Sequence, residues 1–229
     1  MKKYSFVFLS GFFVLMMHGS VNALQSWTPT DQEMPFLPQF CQDKFNKSDR
    51  DKSRKWSRKF GKAWQHMHHH CAGLNFINRA NKSWSDKENK KFNLNRARTN
   101  FEYMVDHTDS SFSYLTDVYF QLGNVYKMQK DFTQAAVHYN KSIDLNKKYT
   151  KPYKALSDIF IKAGEFEKAI EVLERGLKHK PKSKSLNRRL SEAKKKLKEK
   201  QKNNSVDNKS KMKSDAAEEP NDKTEEKEN

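Results

Sequence analysis

Displacing the sequence against itself by 34 residues aligns like with like over the middle of the chain. Tyr119 meets Tyr153, Leu122 meets Leu156, and Tyr126 meets Phe160. Phe132 then meets Phe166, Ala135 meets Ala169, Tyr139 meets Leu173 and Ile143 meets Leu177. A period of this length means stacked supersecondary units, each unable to bury its apolar face alone. Within a unit, Tyr119, Leu122 and Tyr126 share one helical face, Lys130-Asp131 makes a turn, and Ala135, Tyr139 and Ile143 recur at i, i+4 and i+8. The chain therefore reads as all-α, a solenoid of helical hairpins. Composition agrees: 7 Gly and 6 Pro in 229 residues are too few for the turn-rich sandwiches and barrels. No GxGxxG or GxxxxGK[ST] loop is present, so no nucleotide-type cofactor is expected.

The two units resemble the tetratricopeptide repeat. Unit 116–149 supplies Tyr119, Leu122, Gly123, Tyr126, Ala135 and Tyr139 at the family's positions 4, 7, 8, 11, 20 and 24, with Lys147 where Pro is usual. Unit 150–183 supplies Tyr153, Leu156, Phe160, Ala169, Leu173 and Pro181, with Ser157 in place of Gly. The resemblance implies a groove, lined by the first helix of each pair, that binds a protein or peptide ligand. Its positions 5 and 9 fall on Phe120 and Asn124, on Lys154 and Asp158, and on Arg188 and Glu192. Asn124, Lys154 and Arg188 suit a carboxylate clamp, but Asp158 and Glu192 oppose one, so a mixed-charge peptide fits better. Asp158, four residues after Lys154, is expected to hold that lysine only weakly.

The flanks are less regular. Residues 82–115 fit a degenerate unit, with Phe92, Leu94, Ala97, Phe101 and Val105 as its stripe but Ser85 and Glu88 where apolar residues belong. Leu186, Leu190, Ala193 and Leu197 mark a capping helix over 184–200 with a basic outer face. Residues 178–213 carry a net charge of +12 and residues 214–229 a net charge of −5. With almost no apolar residues after Gln201, the stretch 201–229 is expected to be disordered. The basic helix suits weak contact with an anionic membrane surface. No aromatic residue interleaves its lysines, so nucleic acid is not an expected partner.

At the N-terminus, Lys2 and Lys3 precede a 12-residue apolar run, Phe6 to Met17, and Val21 and Ala23 satisfy the small-residue rule for cleavage. Twelve helical residues rise about 18 Å, short of the roughly 30 Å hydrocarbon core. Residues 1–23 are thus read as a signal peptide, and the mature chain as periplasmic or secreted.

Residues 24–81 are read as an extended lead-in over 24–46, then a histidine-rich helix from about Ser53 to Arg79 with Trp56, Phe60, Trp64, Met67, Cys71 and Leu74 as its core stripe. Cys41 and Cys71, the only cysteines, suit a disulfide in an exported chain. The alternative is a metal or redox accessory role, in which His66 and His70, at i and i+4, share a zinc or copper ion, or His68 and Cys71, at i and i+3, supply another pair, with Cys41 completing the site. No GxSxG, HExxH or paired-carboxylate motif supports an enzyme.

Overall fold

The computed structural model describes residues 26–46 and 50–215, and only the backbone helix over 206–215. The expected signal peptide and residues 216–229 lie outside the described residues. Nine α-helices follow in order, with no strand among the described residues: α1 (Gln39–Phe45), α2 (Arg50–Phe60), α3 (Met67–Lys82), α4 (Lys87–His107), α5 (Leu115–Met128), α6 (Phe132–Leu145), α7 (Thr150–Lys162), α8 (Phe166–His179) and α9 (Lys184–Asp215). Short 3-10 turns occupy Met34–Phe36 and Gly61–His66. Helices α3 with α4, α5 with α6 and α7 with α8 form successive antiparallel hairpins, and α9 packs on α8 and α7.

The 34-residue period reappears in the backbone. Helices α6 and α8 begin and end 34 residues apart. The turn into each is closed the same way: Asp131 N–H donates to the Tyr126 carbonyl and Glu165 N–H to the Phe160 carbonyl, both at 2.9 Å. Such a closure places one residue in the left-handed region. That residue is Gly164 in the second unit (φ 75°) but Lys130 in the first (φ 67°). A Cβ is disfavoured there and glycine is not. Lys130→Gly is therefore expected to raise stability by about 0.5–1 kcal/mol, read as a higher urea midpoint at unchanged slope. Asp131 also caps α6, its carboxylate accepting from Gln134 N–H at 3.0 Å.

Helices of a pair approach closely where a residue lacks a side chain. A Cβ on Gly123 would stand 2.5 Å from the Tyr139 ring, so that ring lies directly on the α5 backbone. Ala135 and Ala169 are fully buried at the matching place on the second helices. The same device joins α3 to α4, where Gly73 meets the Phe101 ring. The separation there is 28 residues, whereas Gly123 and Tyr139 are 16 apart, so the 34-residue comparison does not reveal this hairpin. Residues 82–115, expected to be a degenerate unit of their own, instead contribute one helix, α4, which is the second member of a hairpin whose first member is α3.

Other expectations are corrected by the structure. The lead-in is not merely extended: Gln39–Phe45 is helical because Phe40 and Cys41 are buried against α3 and its neighbours. The histidine-rich helix is interrupted. Gly61, at φ 59°, ends α2, and the 3-10 turn redirects the chain into α3. The apolar stripe survives the break, with Phe60, Trp64, Met67 and Cys71 all buried. The capping helix does not stop at residue 200 but continues to Asp215, so residues 201–215, expected to be disordered, are helical. Neither Gly nor Pro occurs between Lys182 and Ala217, so no helix breaker interrupts the run that begins at Lys184.

Two clusters of buried side chains make up the core. One lies within α1–α5 and the other within α6–α9, with Tyr126 packed against both. Cys41 and Cys71 are paired as a disulfide, Cα atoms 5.4 Å apart, and bind α1 to α3. The lead-in is tied further along α3 by Glu33, whose carboxylate accepts from Arg79 at 2.6 Å and from Asn75 at 3.1 Å. The Arg79 hydrogen bond holds Glu33 well below the usual carboxylate range, at about 2, against the opposing effect of burial.

Candidate functional site

The first helices of successive pairs, α5, α7 and α9, line one cleft of about 470 Å³. Lys127 comes from α5, Asp158, Ile161 and Lys162 from α7, and Arg189, Glu192 and Lys196 from α9. At its centre the Arg189 guanidinium bridges two helices, pairing with Asp158 on α7 and with Glu192 one turn along α9 at 2.5 Å each. The Asp158–Arg189 pair is three-quarters buried on both sides, so it resists screening better than a surface pair. Around this fixed triad stand Lys127, Lys154 and Lys162, all close enough for their charges to be felt at one site. Burial pushes the Lys127 ammonium down, Asp158 opposes that shift, and Lys162 and Lys154 add to it. The floor is thus one fixed arginine between two acids, surrounded by lysines with free heads.

The groove residues read from the sequence occupy different situations. Lys154 and Asp158 are half-buried on α7, but Asp158 is engaged by Arg189 and not by Lys154. Asn124 is committed internally, accepting from the Tyr139 hydroxyl at 2.9 Å and donating to Gln121 at 3.1 Å. Phe120 is half-buried, its ring 5.7 Å from that of Tyr149 and 5.9 Å from that of Tyr139. Glu192 lies in the cleft. Arg188 does not: it is exposed, and Arg189 takes the inward place. The rotation follows from packing, because Leu186 and Ala193 are the fully buried side chains among the described residues of α9, and Leu186 and the Tyr153 ring both lie against Gly176. Simple addition of 34 could not show that offset. The sequence reading does not single out Lys127 or Lys162, and it assigns Lys196 and Arg189 to the outer face of the capping helix, whereas both line the cleft. The spacing of these lysines from the groove positions, three or four residues further along the same helices, was the available signal.

The histidines separate. His70 is fully buried among the rings of Phe40, Phe101 and Tyr114, with its Nε2 3.6 Å from the Asp117 carboxylate. His66 lies on the other side of the break, against Tyr103 and His107 of α4. The expected i, i+4 pair is therefore not brought together. His66 belongs to the 3-10 turn and His70 to α3, so regular helical spacing does not connect them. No group of three or more His, Cys, Asp or Glu suited to a metal ion occurs among the described residues, and Cys41 and Cys71 bind each other. His69, Tyr103 and His107 stack face to face instead, with centroids 3.7 and 3.8 Å apart.

The described residues thus form an array of helical hairpins with a charged groove across the first helices of successive pairs. Residues 127–197 match the tetratricopeptide repeat family model. No curated protein matches the chain. Among solved structures it is similar to the first such domain of Spaghetti (RPAP3) bound to the HSP90 peptide SRMEEVD, at 21% identity over 55% of this chain and 92% of that one, with a TM-score of 0.40. It is also similar to the Sgt2 domain from Aspergillus fumigatus, at 16% identity over 68% and 90% of the two chains, with a TM-score of 0.43. MamA is similar at 18% identity over 71% and 96%, with a TM-score of 0.43.

Proposed function

We propose that this protein is a non-enzymatic scaffold that binds an extended, mixed-charge peptide segment of a partner protein along the α5–α7–α9 groove. The tetratricopeptide fold is generally a non-catalytic protein-interaction scaffold. The observation that carries the reading is the arrangement of charge: Asp158, Arg189 and Glu192 neutralise one another in part, while Lys127, Lys154 and Lys162 keep ammonium groups beside them. A ligand acid meets the lysines, and a ligand cation meets the outer oxygens of Glu192. We further propose that the protein acts after export, in the periplasm or outside the cell, in assembly of an envelope complex. The basic n-region, apolar run and Val21-Asn22-Ala23 pattern support export, as does a cysteine pair placed as a disulfide.

Reversing Lys154 to Glu tests the groove. Lys154 contributes charge without being part of the Asp158–Arg189 pair, so helical content is expected to stay intact. Partner recovery after crosslinking in the native envelope is expected to fall, with affinity weakened roughly five- to tenfold, as for loss of one desolvated interface charge. Undiminished capture by the Lys154→Glu protein would place binding on another surface.

A further inference from the structure

A second cleft, of about 450 Å³, opens at the far end of the α3–α4 hairpin from the loop that joins those helices. Its origin is the break at Gly61. Because the chain turns there, the end of α2 and the following 3-10 turn stand apart from the segment that leaves α4, and a gap is left between them. Arg58, Lys59 and Lys62 form one wall. His107 and the hydroxyls of Thr108, Ser111 and Ser113 form the other, with His66 at the junction. The apolar floor is made by Phe60, Ala63 and Phe112, all buried, so the cleft is shaped by core residues.

The electrostatics of this cleft are one-sided. Among the described residues no carboxylate lies within ion-pairing distance of Arg58, Lys59 or Lys62. Lys59 rests over the Trp56 and Phe60 rings, 5.2 and 5.6 Å from their centroids, which positions its ammonium without neutralising it. The only acid on the lining is Asp109. Three exposed cations on one wall repel one another, and the buried apolar floor beside them focuses their field. His107 donates its Nδ1–H to the Tyr103 carbonyl, 2.9 Å away. Hydroxyl donors on the facing wall add neutral hydrogen bonds. We infer that this cleft is an anion site for a phosphate-bearing ligand, held by Arg58, Lys59 and Lys62 and oriented by the hydroxyls of Ser111 and Ser113. A guanidinium beside ammonium groups suits the several oxygens of a phosphate better than a single carboxylate. Asp109 disfavours a ligand that fills the rim and leaves the wall of cations as its seat. The site is separate from the peptide groove and stands whether or not that groove binds a partner.

The phosphate can belong to a free compound or to a phospholipid headgroup, and titration of the whole chain with inorganic pyrophosphate at constant ionic strength, followed by calorimetry, starts the test. Saturable binding is expected, weakened about tenfold or more by Arg58→Gln with Lys62→Gln. Those side chains are exposed, and an unchanged circular dichroism spectrum confirms the fold. Lys194→Gln with Lys198→Gln, which removes equal charge from α9, is expected to leave affinity unchanged. Absence of binding up to about 10 mM overturns the proposal, as does equal weakening by the α9 pair, which reduces the effect to net charge. Vesicles of phosphatidylcholine with and without phosphatidylglycerol then identify the source. Capture by the anionic vesicles that pyrophosphate reverses assigns the headgroup. Pyrophosphate binding without capture assigns a free phosphate compound.

Discussion

Replacing Cys41 and Cys71 together by alanine is expected to lower the stability of the N-terminal core by about 3.5 kcal/mol. The bridge closes a loop of 30 residues, and the entropy denied to the unfolded chain by such a closure is of that size. The loss is concentrated because α1 is only seven residues long. Its main packing is the Phe40 ring against those of Trp56, Phe60, His70 and Tyr114, at 5.4–6.0 Å. Helices shorter than about 12 residues do not hold themselves together in water. Without the bridge, α1 therefore depends on that ring cluster and on two hydrogen bonds, from the Trp56 indole to the Asp43 carboxylate at 2.8 Å and from the Lys44 ammonium to the Trp64 carbonyl at 2.7 Å. The check is urea unfolding of the oxidised protein, the reduced protein and the double variant. Both thiol-free and reduced forms are expected to have lower midpoints, and amide exchange in α1 and α3 is expected to rise before exchange in α6–α8, which belong to the other core cluster. Equal midpoints with and without reductant would show that the bridge contributes nothing.

Acid is expected to destabilise the fold by about 3 kcal/mol through His70 alone. Burial pushes this imidazole down from 6.5 to about 4, outweighing the nearby Asp117 carboxylate, which acts in the opposite direction. The folded protein keeps His70 neutral until about pH 4, whereas the unfolded chain protonates it below about 6.5. The unfolded state therefore binds more protons throughout that interval. Stability contributed by the neutral ring is complete above pH 6.5 and is lost as the pH falls towards 4. His138 adds to the same window, since burial, assisted by Lys141, also lowers it to about 4. Glu33 acts lower down, between 4.5 and about 2, so the two effects separate on a pH axis. His70→Phe tests the assignment. Its neighbours are the rings of Phe40, Phe101 and Tyr114, and neither ring nitrogen of His70 makes a hydrogen bond, so a phenyl ring loses no partner. Urea midpoints between pH 4 and 7 are expected to vary less in the variant than in the parent. A variant as acid-sensitive as the parent would exclude His70 as the group responsible.

His70 also shows where sequence reading stops. As one of four histidines in a row of five residues it looked like a ligand, and nothing local distinguishes it from His66, His68 or His69. Its burial is decided by α1, α4 and α5, which close over it from distant parts of the chain. The same contrast holds at the groove. The places of α7 and of Lys154 and Asp158 on it were legible, because they repeat a pattern from 34 residues earlier. The inward turn of Arg189 in place of Arg188 was not, because the rotation of α9 depends on Leu186 packing against Gly176 of α8.

What the sequence by itself determined is what helical period and repeat period encode: an all-α chain, two hairpins in 116–183 with their turn positions, the capping helix after Pro181, and the apolar stripe that carries Cys71. These depend on neighbours within one or two turns, and on a comparison of the chain with itself. Only the tertiary structure decided that α3 is the partner of α4, that Gly61 splits the histidine-rich segment and opens a cationic cleft, and that Asp158 is held by Arg189. Each of these results from contacts between residues whose separation follows no period. There the energy gained by burying Phe101 on Gly73, or Leu186 on Gly176, selects among arrangements that local patterning leaves equal.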